Sequence, residues 1–249
     1  QGSRLRSATG GLAKQFLPLR GAPLWWRAAQ SMAQSPLVHG VALVFDSGSI
    51  ETAGQEIKRL AASEPLGVPV LLAAGGRLRQ DSVRNGLLVL PPSCTHVLVH
   101  DSARPFAGPA LATRMLLTLH DKAQHGISGV VPGLAVTDTI KRVDEHGICL
   151  ETPDRAMLRA VQTPQAFRRD DLEKAHARAV AEGWECTDDA SLLERCGMKV
   201  LAAEGQEGNV KITRPADLRL LLPDQRPVPC CGYGYDVHAF GGNRPLKLV

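Results

Sequence analysis

Short apolar segments alternate with segments of helical periodicity over the first half of the chain. Helical periodicity fills residues 50–63 and 79–90. The strand-like segments are GVALVFD (40–46), VPVLLAA (68–74), THVLVHD (95–101) and SGVVPGLAV (128–136). This alternation is typical of βαβ units, so we expect an α/β fold with a mostly parallel sheet. Such sheets bind ligands at the carboxyl ends of their strands, which makes the residues after each strand the first candidates for a site.

The composition favours a globular protein that binds small phosphorylated molecules. The chain has 249 residues, a net charge of +4 and 4% aromatic residues. Its basic residues form no long run and its aromatic residues are too few for base stacking, so we expect no nucleic acid partner. No window holds the roughly 18 uninterrupted apolar residues of a membrane helix, and QGSRLRSATGG lacks the apolar core of a secretory signal. We therefore expect a cytoplasmic protein without a membrane partner.

The cysteines predict neither a disulfide framework nor a zinc site. None of the six is spaced as C-x-x-C, and the chain is too large to need disulfides for its stability. We expect reduced thiols at Cys94, Cys149, Cys186, Cys196, Cys230 and Cys231.

The first stretch of the chain, QGSRLRSATGGLAKQF, combines small residues with Arg4 and Lys14. A loop of this kind can direct backbone N–H groups, such as that of Gly2, and two cations toward a polyphosphate. The alternative is a solvated terminus with ordinary surface charges.

Another loop, AAGGRLRQDSVRNGL, follows the second of these strands. Its glycine pair, Gly75 and Gly76, precedes Ser82 near the beginning of a helix, which suits a nucleotide lying against exposed backbone. The alternative is a plain strand-to-helix turn with Ser82 or Asp81 near the helix cap.

The strand in VLVHDSARP leads directly to Asp101, and Arg104 follows three residues later. A carboxylate at this place in an α/β sheet commonly holds Mg²⁺ or a ribose hydroxyl. The alternative is a loop ion pair between Asp101 and Arg104.

Residues 136–160 interrupt the alternation with strand-like pieces and with turn signals at residues 144–147 and 153–154. We expect a β-hairpin arm that leaves the sheet, and arms of this kind commonly pair with a second subunit. Further on, ECTDDASLLERCG predicts a helix capped by Thr187 or Asp188. GNVKITRPADL predicts Lys211 on a short strand ahead of a helix that begins near Pro215.

Taken in order, the motifs GSRL…KQF, GG…R-x-DSV, HDSARP, DTIKR, DRAMLRAVQTPQAF, TDDASLLE and NVKITRP resemble the 2-C-methyl-D-erythritol 4-phosphate cytidylyltransferases. The resemblance covers residues 1 to about 222. It implies a Rossmann-like sheet of the nucleotide-diphospho-sugar transferase type, a β-arm at 136–160 that forms a homodimer, and transfer of CMP from CTP to methylerythritol phosphate with Mg²⁺.

The resemblance also implies roles for individual residues. Catalysis would fall to Arg4, Lys14 and Lys211. Nucleotide binding would fall to Gly2, Gly75, Gly76, Ser82 and Asp101, with Asp101 also holding Mg²⁺. The acceptor would be bound by Arg104, Thr139, Arg155, Thr163 and Thr187, with Thr139 and Arg155 reaching over from the partner's arm.

The tail GYGYDVHAFG resembles the beginning of 2-C-methyl-D-erythritol 2,4-cyclodiphosphate synthase, in which an Asp-x-His pair binds Zn²⁺ or another divalent metal. Asp236 and His238 would be that pair. The expected organisation is a cytidylyltransferase domain over 1–222, a proline-rich linker over 223–231 and the first part of a cyclodiphosphate synthase domain over 232–249.

Two departures from the family pattern leave other functions open. The family's first strand and half of its nucleotide loop are expected before Gln1, and Arg77 stands where relatives carry an acidic or small residue. One alternative is a related nucleotidyltransferase with a different nucleotide or a different polyol or sugar phosphate. The other is a non-catalytic protein that keeps the fold for binding.

Overall fold

The structure, a computed structural model, describes residues 14–221, and of Lys14 only the backbone. Two very short strands, β1 (Pro18–Leu19) and β2 (Ala22–Pro23), form an antiparallel turn that leads into helix α1 (Leu24–Ala33). Pro23 precedes the first helical residue in an extended conformation, so the chain enters the helix without a side-chain cap.

The first βαβ unit predicted from the sequence is present. Strands β3 (Val41–Phe45) and β4 (Val70–Ala74) pair in parallel, and helix α2 (Ile50–Ser63) connects them. Helix α3 (Arg79–Leu88) follows β4 and packs against both strands. The predicted bounds of these elements are confirmed to within two residues.

A five-stranded sheet forms the rest of the centre. Four of its strands are β5 (His96–Val99), β6 (Ile127–Ala135), β10 (Gln165–Arg168) and β11 (Lys199–Glu204), in the order β11-β6-β10-β5. The fifth is a short strand, Arg159–Val161, that pairs with β6. Strand β10 runs antiparallel to both its neighbours, whereas β11 is parallel to β6. Strands β5, β6 and β11 therefore share one direction. The expected α/β fold with a mostly parallel central sheet is confirmed.

Helices cover both faces of this sheet because consecutive residues of its strands point to opposite sides. Val130 and Ala166 pack into one buried cluster with helix α4 (Pro109–Lys122). Val131 and Phe167, the next residues along the chain, pack into another cluster with α5 (Arg169–Ala181) and α6 (Asp189–Arg195). In the part of the chain that the structure describes, helices therefore pack on both faces of the sheet.

The hairpin predicted within residues 136–160 is present. Strands β7 (Arg142–Val143) and β8 (Cys149–Glu151) pair antiparallel, and β9 (Arg159–Val161) returns the chain to β6. Asp144 closes the turn by accepting hydrogen bonds from the backbone N–H groups of His146 and Ile148. Dimerisation through this arm stays a prediction.

The predicted strand at Lys211 is wrong. Within the described chain, residues 209–213 form no strand, because their hydrogen bonds are made with other loops. The Ile212 N–H donates to the Ala103 carbonyl, and the side-chain amide of Asn209 donates to the Thr163 carbonyl. The helix expected near Pro215 is a 3-10 helix, Pro215–Leu221.

Two expectations from composition concern the described part of the chain. None of the helices in residues 14–221 has both the length and the apolar character needed to cross a bilayer. The four cysteines of this part, Cys94, Cys149, Cys186 and Cys196, carry free thiols.

Candidate functional site

A cavity of about 890 Å³ opens where β3 and β5 end. Asp46, the residue after β3, and Ser102, in the loop after β5, are part of its wall. Five of the residues predicted from the sequence line it together: Asp101, Arg104, Thr163, Thr187 and Lys211. The structure therefore brings four distant segments to the strand ends of the sheet, where α/β proteins bind ligands.

Asp101 and Lys211 form an ion pair in the cavity wall, with 2.6 Å between the Lys211 Nζ and an Asp101 carboxylate oxygen. The side chains keep 23% and 41% of their surface exposed, so both remain accessible to a ligand. Burial alone would raise the pKa of Asp101, but the hydrogen bond and charge of Lys211, together with the charge of Arg79, lower it below its usual value. Asp101 is therefore a carboxylate at neutral pH.

Arg104 does not form the alternative ion pair with Asp101. Its Nη1 donates to the carbonyl of Asn209 at 2.7 Å, and its own N–H donates to the Asp101 carbonyl at 3.0 Å. With the Ile212 N–H bonded to Ala103, these contacts fasten the loop after β5 to the segment that carries Lys211. The Asp101–Lys211 pair is thus supported on both sides.

His100 connects Thr163 to the same loop. Its Nε2 lies 3.0 Å from the Arg104 carbonyl, and its Nδ1 lies 3.0 Å from the Thr163 hydroxyl. Burial lowers the pKa of His100 to about 4, so the ring is neutral at pH 7. Since a carbonyl can only accept, Nε2 carries the proton and Nδ1 accepts from Thr163.

This arrangement limits what Thr163 can do for a substrate. Its oxygen already accepts a hydrogen bond from the Asp101 N–H at 3.1 Å, and its proton is committed to His100. Thr163 is 7% exposed. It can therefore accept from a substrate but has no proton left to donate.

The glycine pair forms a tight turn between β4 and α3. The Gly75 N–H donates to the Phe45 carbonyl at 2.6 Å, and the Gly76 N–H donates to the Ser82 hydroxyl at 3.1 Å. A Cβ on Gly76 would overlap the Cβ of Asp81. Only glycine fits there, so the turn brings bare backbone to the beginning of α3.

The helix-cap interpretation of this stretch is confirmed for Asp81, whose carboxylate accepts from the Leu78 N–H at 3.1 Å. Ser82 holds the Gly76 backbone instead. Neither the glycines nor Ser82 lines the cavity; from this turn and α3, Arg79 does.

Thr187 is exposed and lies two residues before the first residue of helix α6. Of the two predicted caps, Asp188 is the one observed: its carboxylate accepts from the Ser191 N–H at 3.1 Å and from the Gln165 side chain at 2.9 Å. The cap is therefore anchored to strand β10, which holds Thr187 at the cavity wall.

The structure does not bring the arm residues into this cavity. Thr139 is exposed, and Arg155, also exposed, donates through Nη1 to the Thr137 carbonyl at 2.6 Å. The remaining predicted site residues lie outside what the structure describes: Gly2, Arg4, the Lys14 side chain, Asp236 and His238.

Sequence reasoning missed several residues that line the cavity. Arg79 follows the glycine pair at the first position of α3, and its basic character in that place was an available signal. Gln162 and Gln165 flank Thr163 and are buried; no local pattern distinguishes them from core-facing strand residues.

The cavity offers single oxygen ligands rather than a metal cage. Within residues 14–221, no group of three or more His, Cys, Asp or Glu side chains is placed to hold a metal ion. The carboxylates in the wall are those of Asp46, Asp101 and Asp188, and Asp188 is engaged as a cap. One or two carboxylates together with phosphates suit Mg²⁺. The residues present therefore fit a divalent cation that arrives with a polyphosphate.

Comparison with known proteins gives consistent results. The family described as IspD, 2-C-methyl-D-erythritol 4-phosphate cytidylyltransferase, matches residues 1–221. The chain is 50% identical over 251 residues to the bifunctional enzyme IspD/IspF of Nitratidesulfovibrio vulgaris (strain DP4), and the match covers 99% of this chain and 62% of that protein. The chain thus spans less than two thirds of the length of such relatives.

Two further relatives represent the single enzyme. The 2-C-methyl-D-erythritol 4-phosphate cytidylyltransferase of a Synechococcus species is 40% identical over 208 residues, covering 82% of this chain and 86% of that protein. The crystal structure of the protein of that name from Thermus thermophilus superposes with a TM-score of 0.64 at 33% identity, covering 84% of this chain and 91% of that one.

Proposed function

Because this chain belongs to the 2-C-methyl-D-erythritol 4-phosphate cytidylyltransferase family, we propose that the protein transfers CMP from CTP to 2-C-methyl-D-erythritol 4-phosphate, releasing pyrophosphate. The product would be 4-diphosphocytidyl-2-C-methyl-D-erythritol. The observation that carries the proposal is the Asp101–Lys211 pair in a cavity at the strand ends.

In this reaction the protein takes little part in making or breaking covalent bonds. The phosphomonoester, with a second pKa of about 6, is largely dianionic at pH 7 and needs no general base. One of its oxygens forms a bond to the α-phosphorus of CTP while the bond to the pyrophosphate oxygen breaks. The site contributes alignment and positive charge.

We assign this charge to three cations. Lys211 would donate to the α-phosphate, where charge accumulates, and its contact with Asp101 keeps the ammonium in the cavity wall. Arg4 and Lys14 would bind the triphosphate. Gly2 and the turn formed by Gly75, Gly76 and Ser82 would contact the nucleoside; this turn does not itself line the described cavity, but Arg79 directly after it does.

We further propose that Asp101 holds Mg²⁺ or an adjoining hydroxyl, since its carboxylate is ionised and partly exposed. When bound, Mg²⁺ would neutralise phosphate charge and orient the triphosphate. Asp101 would hold Lys211 in place and would supply one oxygen ligand to the metal ion.

The acceptor would lie against Arg104, Thr163 and Thr187, which share the cavity with Lys211. Thr139 and Arg155 would come from the arm of a second copy in a homodimer. Both side chains are exposed and neither lines the cavity of its own chain, which favours this arrangement.

We propose that the longer protein is bifunctional, like the IspD/IspF relatives, and that its second activity is the cyclodiphosphate synthase (a lyase). Asp236 and His238 would contribute to a divalent metal site, Zn²⁺ by resemblance. The proposed domains are 1–222 and 232 onward, joined by 223–231. We propose a cytoplasmic location, and no nucleic acid or membrane partner is proposed.

The full-length protein tests the proposal. Pyrophosphate release should require CTP, methylerythritol phosphate and Mg²⁺ together, and chelation by EDTA should abolish it. Equal rates with UTP or with glucose 1-phosphate would favour a related nucleotidyltransferase. Binding of CTP without pyrophosphate release would favour a non-catalytic protein.

A further inference from the structure

Arg79 is a cation in the cavity wall that the motifs did not single out. It is the first residue of α3, directly after the glycine turn, and its side chain is 30% exposed. Its Nη1 donates to an Asp189 carboxylate oxygen at 2.7 Å. No other hydrogen bond from its guanidinium joins it to residues 14–221, so the other N–H donors remain available to a ligand.

Asp189 is a completely buried carboxylate, with 0% of its side chain exposed. Its second oxygen accepts from the Nε2 of His176, which is 3% exposed, at 3.1 Å. A buried carboxylate is costly unless it is paired and hydrogen-bonded, and removing one partner is strongly destabilising. The arrangement fixes the Asp189 carboxylate between helices α5 and α6 and aims one oxygen at Arg79.

The backbone at Arg79 is fixed as well. The next residue, Gln80, donates through its amide to the Trp184 carbonyl at 2.7 Å and accepts from the Cys186 N–H at 3.1 Å. The beginning of α3 is therefore fastened to the segment ahead of α6. A guanidinium anchored by both its helix and its carboxylate partner loses little further side-chain freedom on binding an anion.

Arg79 lines the same cavity as Asp101 and Lys211, and its positive charge helps to lower the pKa of Asp101. A guanidinium that served only to neutralise Asp189 would not need access to the cavity. Its planar set of donors suits two oxygens of a phosphate chain.

We propose that Arg79 binds the phosphate chain of the nucleoside triphosphate, and that Asp189, supported by His176, is the positioning residue that orients its guanidinium. This inference rests on the proposed function and adds a fourth cation to it. It predicts that Asp189 affects nucleotide binding only through Arg79.

The test measures nucleotide affinity by calorimetry on the full-length protein with Mg²⁺. Arg79→Gln should raise the Kd for CTP at least about tenfold. Arg79→Lys should raise it less, because a lysine keeps the positive charge but lacks the planar pair of N–H donors of a guanidinium. The Kd for cytidine, measured by saturation-transfer NMR, should not change. Arg59→Gln is the matched control, since Arg59 pairs with Glu56 on an exposed face of α2.

A double-mutant cycle tests the role of Asp189. Asp189→Asn alone should weaken CTP binding, whereas adding it to Arg79→Gln should cause no further change in the Kd for CTP, even if the melting temperature falls. If Asp189→Asn does not fold, His176→Gln takes its place in the cycle. Additive effects on the Kd would overturn the positioning role.

The outcomes separate this inference from the proposed function. If the unaltered protein binds CTP and Arg79→Gln binds it equally well, the inference is wrong and the proposed function stands. If Arg79→Gln weakens cytidine as much as CTP, Arg79 serves the nucleoside and the phosphate assignment is wrong. If the unaltered protein itself does not bind CTP, the proposed function fails.

Discussion

At the residue scale, Lys211 is the described side chain whose loss should cost most activity. Lys211→Ala is expected to lower kcat by about 10²-fold or more with a smaller change in KM, because a cation at the α-phosphate stabilises charge that develops in the transition state. Steady-state pyrophosphate release gives both constants. Lys58→Ala, at an exposed position of α2, is the control. A change in KM alone would show that Lys211 only binds.

Gly76 should tolerate no side chain. Gly76→Ala places a Cβ against Asp81 and must disturb the turn whose N–H is held by Ser82, so we expect weaker CTP binding and a lower melting temperature. The control is Gly54→Ala inside α2, where the added Cβ makes only an ordinary contact with Leu72 and the helix gains up to about 1 kcal/mol. Equal behaviour of the two variants would contradict the close approach.

His100 should give stability a dependence on pH. Its pKa falls from an ordinary 6.5 to about 4 in the folded protein, so between these values the unfolded chain binds more protons and stability rises with pH. The full difference corresponds to about 3 kcal/mol. In His100→Gln, urea unfolding at several pH values should show a shallower loss of stability from pH 6.5 to pH 4. An unchanged slope would show that the ring does not stay neutral.

At the scale of elements, hydrophobic periodicity was sufficient where burial is regular. Helix α2 has the predicted bounds, and strand β6 is displaced by one residue, because their apolar patterns reflect packing on a continuous layer. The segment around Lys211 was misassigned because its apolar, β-branched residues satisfy their backbone through single contacts with other loops. The partners lie 46 residues away at Thr163 and 105 residues away at Arg104, so these contacts leave no periodic pattern in the sequence.

The candidate site was predictable to the same extent. Asp101 and Arg104 lie in the loop after β5 and Thr187 lies just ahead of α6, so the topology of an α/β sheet was enough to predict that these residues line one cavity, as they do. Three features were not predictable, because they depend on side chains that meet only in the folded chain. They are the neutral state of His100, the pairing of Asp101 with Lys211, and the pairing of Arg79 with the buried Asp189 carboxylate. The sequence predicted the location of the cavity better than its internal hydrogen bonding.

At the scale of the whole molecule, the arm is the feature that a single chain leaves unexplained. Its hairpin exposes large apolar side chains: Val143 is 49% exposed, Ile148 62%, Leu150 53% and Met157 82%. Large exposed apolar patches commonly mark protein interfaces, and these four side chains belong to one short segment of the chain. A two-fold dimer that covers it would place the arm of each chain beside the cavity of the other, which is where Arg155 would serve the acceptor.

Mixed dimers test this sharing of sites. Full-length Lys211→Ala and Arg155→Ala proteins should each be nearly inactive, because every site in either homodimer carries one lesion. After the two are unfolded, mixed in equal amounts and refolded, half of the dimers are mixed and each has one intact site. Activity should return to about a quarter of that of the unaltered protein.

Asp101→Asn supplies the matched control for this experiment. Asp101 and Lys211 lie 2.6 Å apart within one chain, so a dimer formed from Asp101→Asn and Lys211→Ala chains has one lesion in each cavity and no intact site. Mixing these two should restore nothing, which separates exchange of arms from a general gain on refolding. If Lys211→Ala and Arg155→Ala also stay inactive while mass spectrometry detects the mixed dimer, Arg155 serves the cavity of its own chain. The arm would then have to fold back toward β6 rather than reach across the two-fold axis.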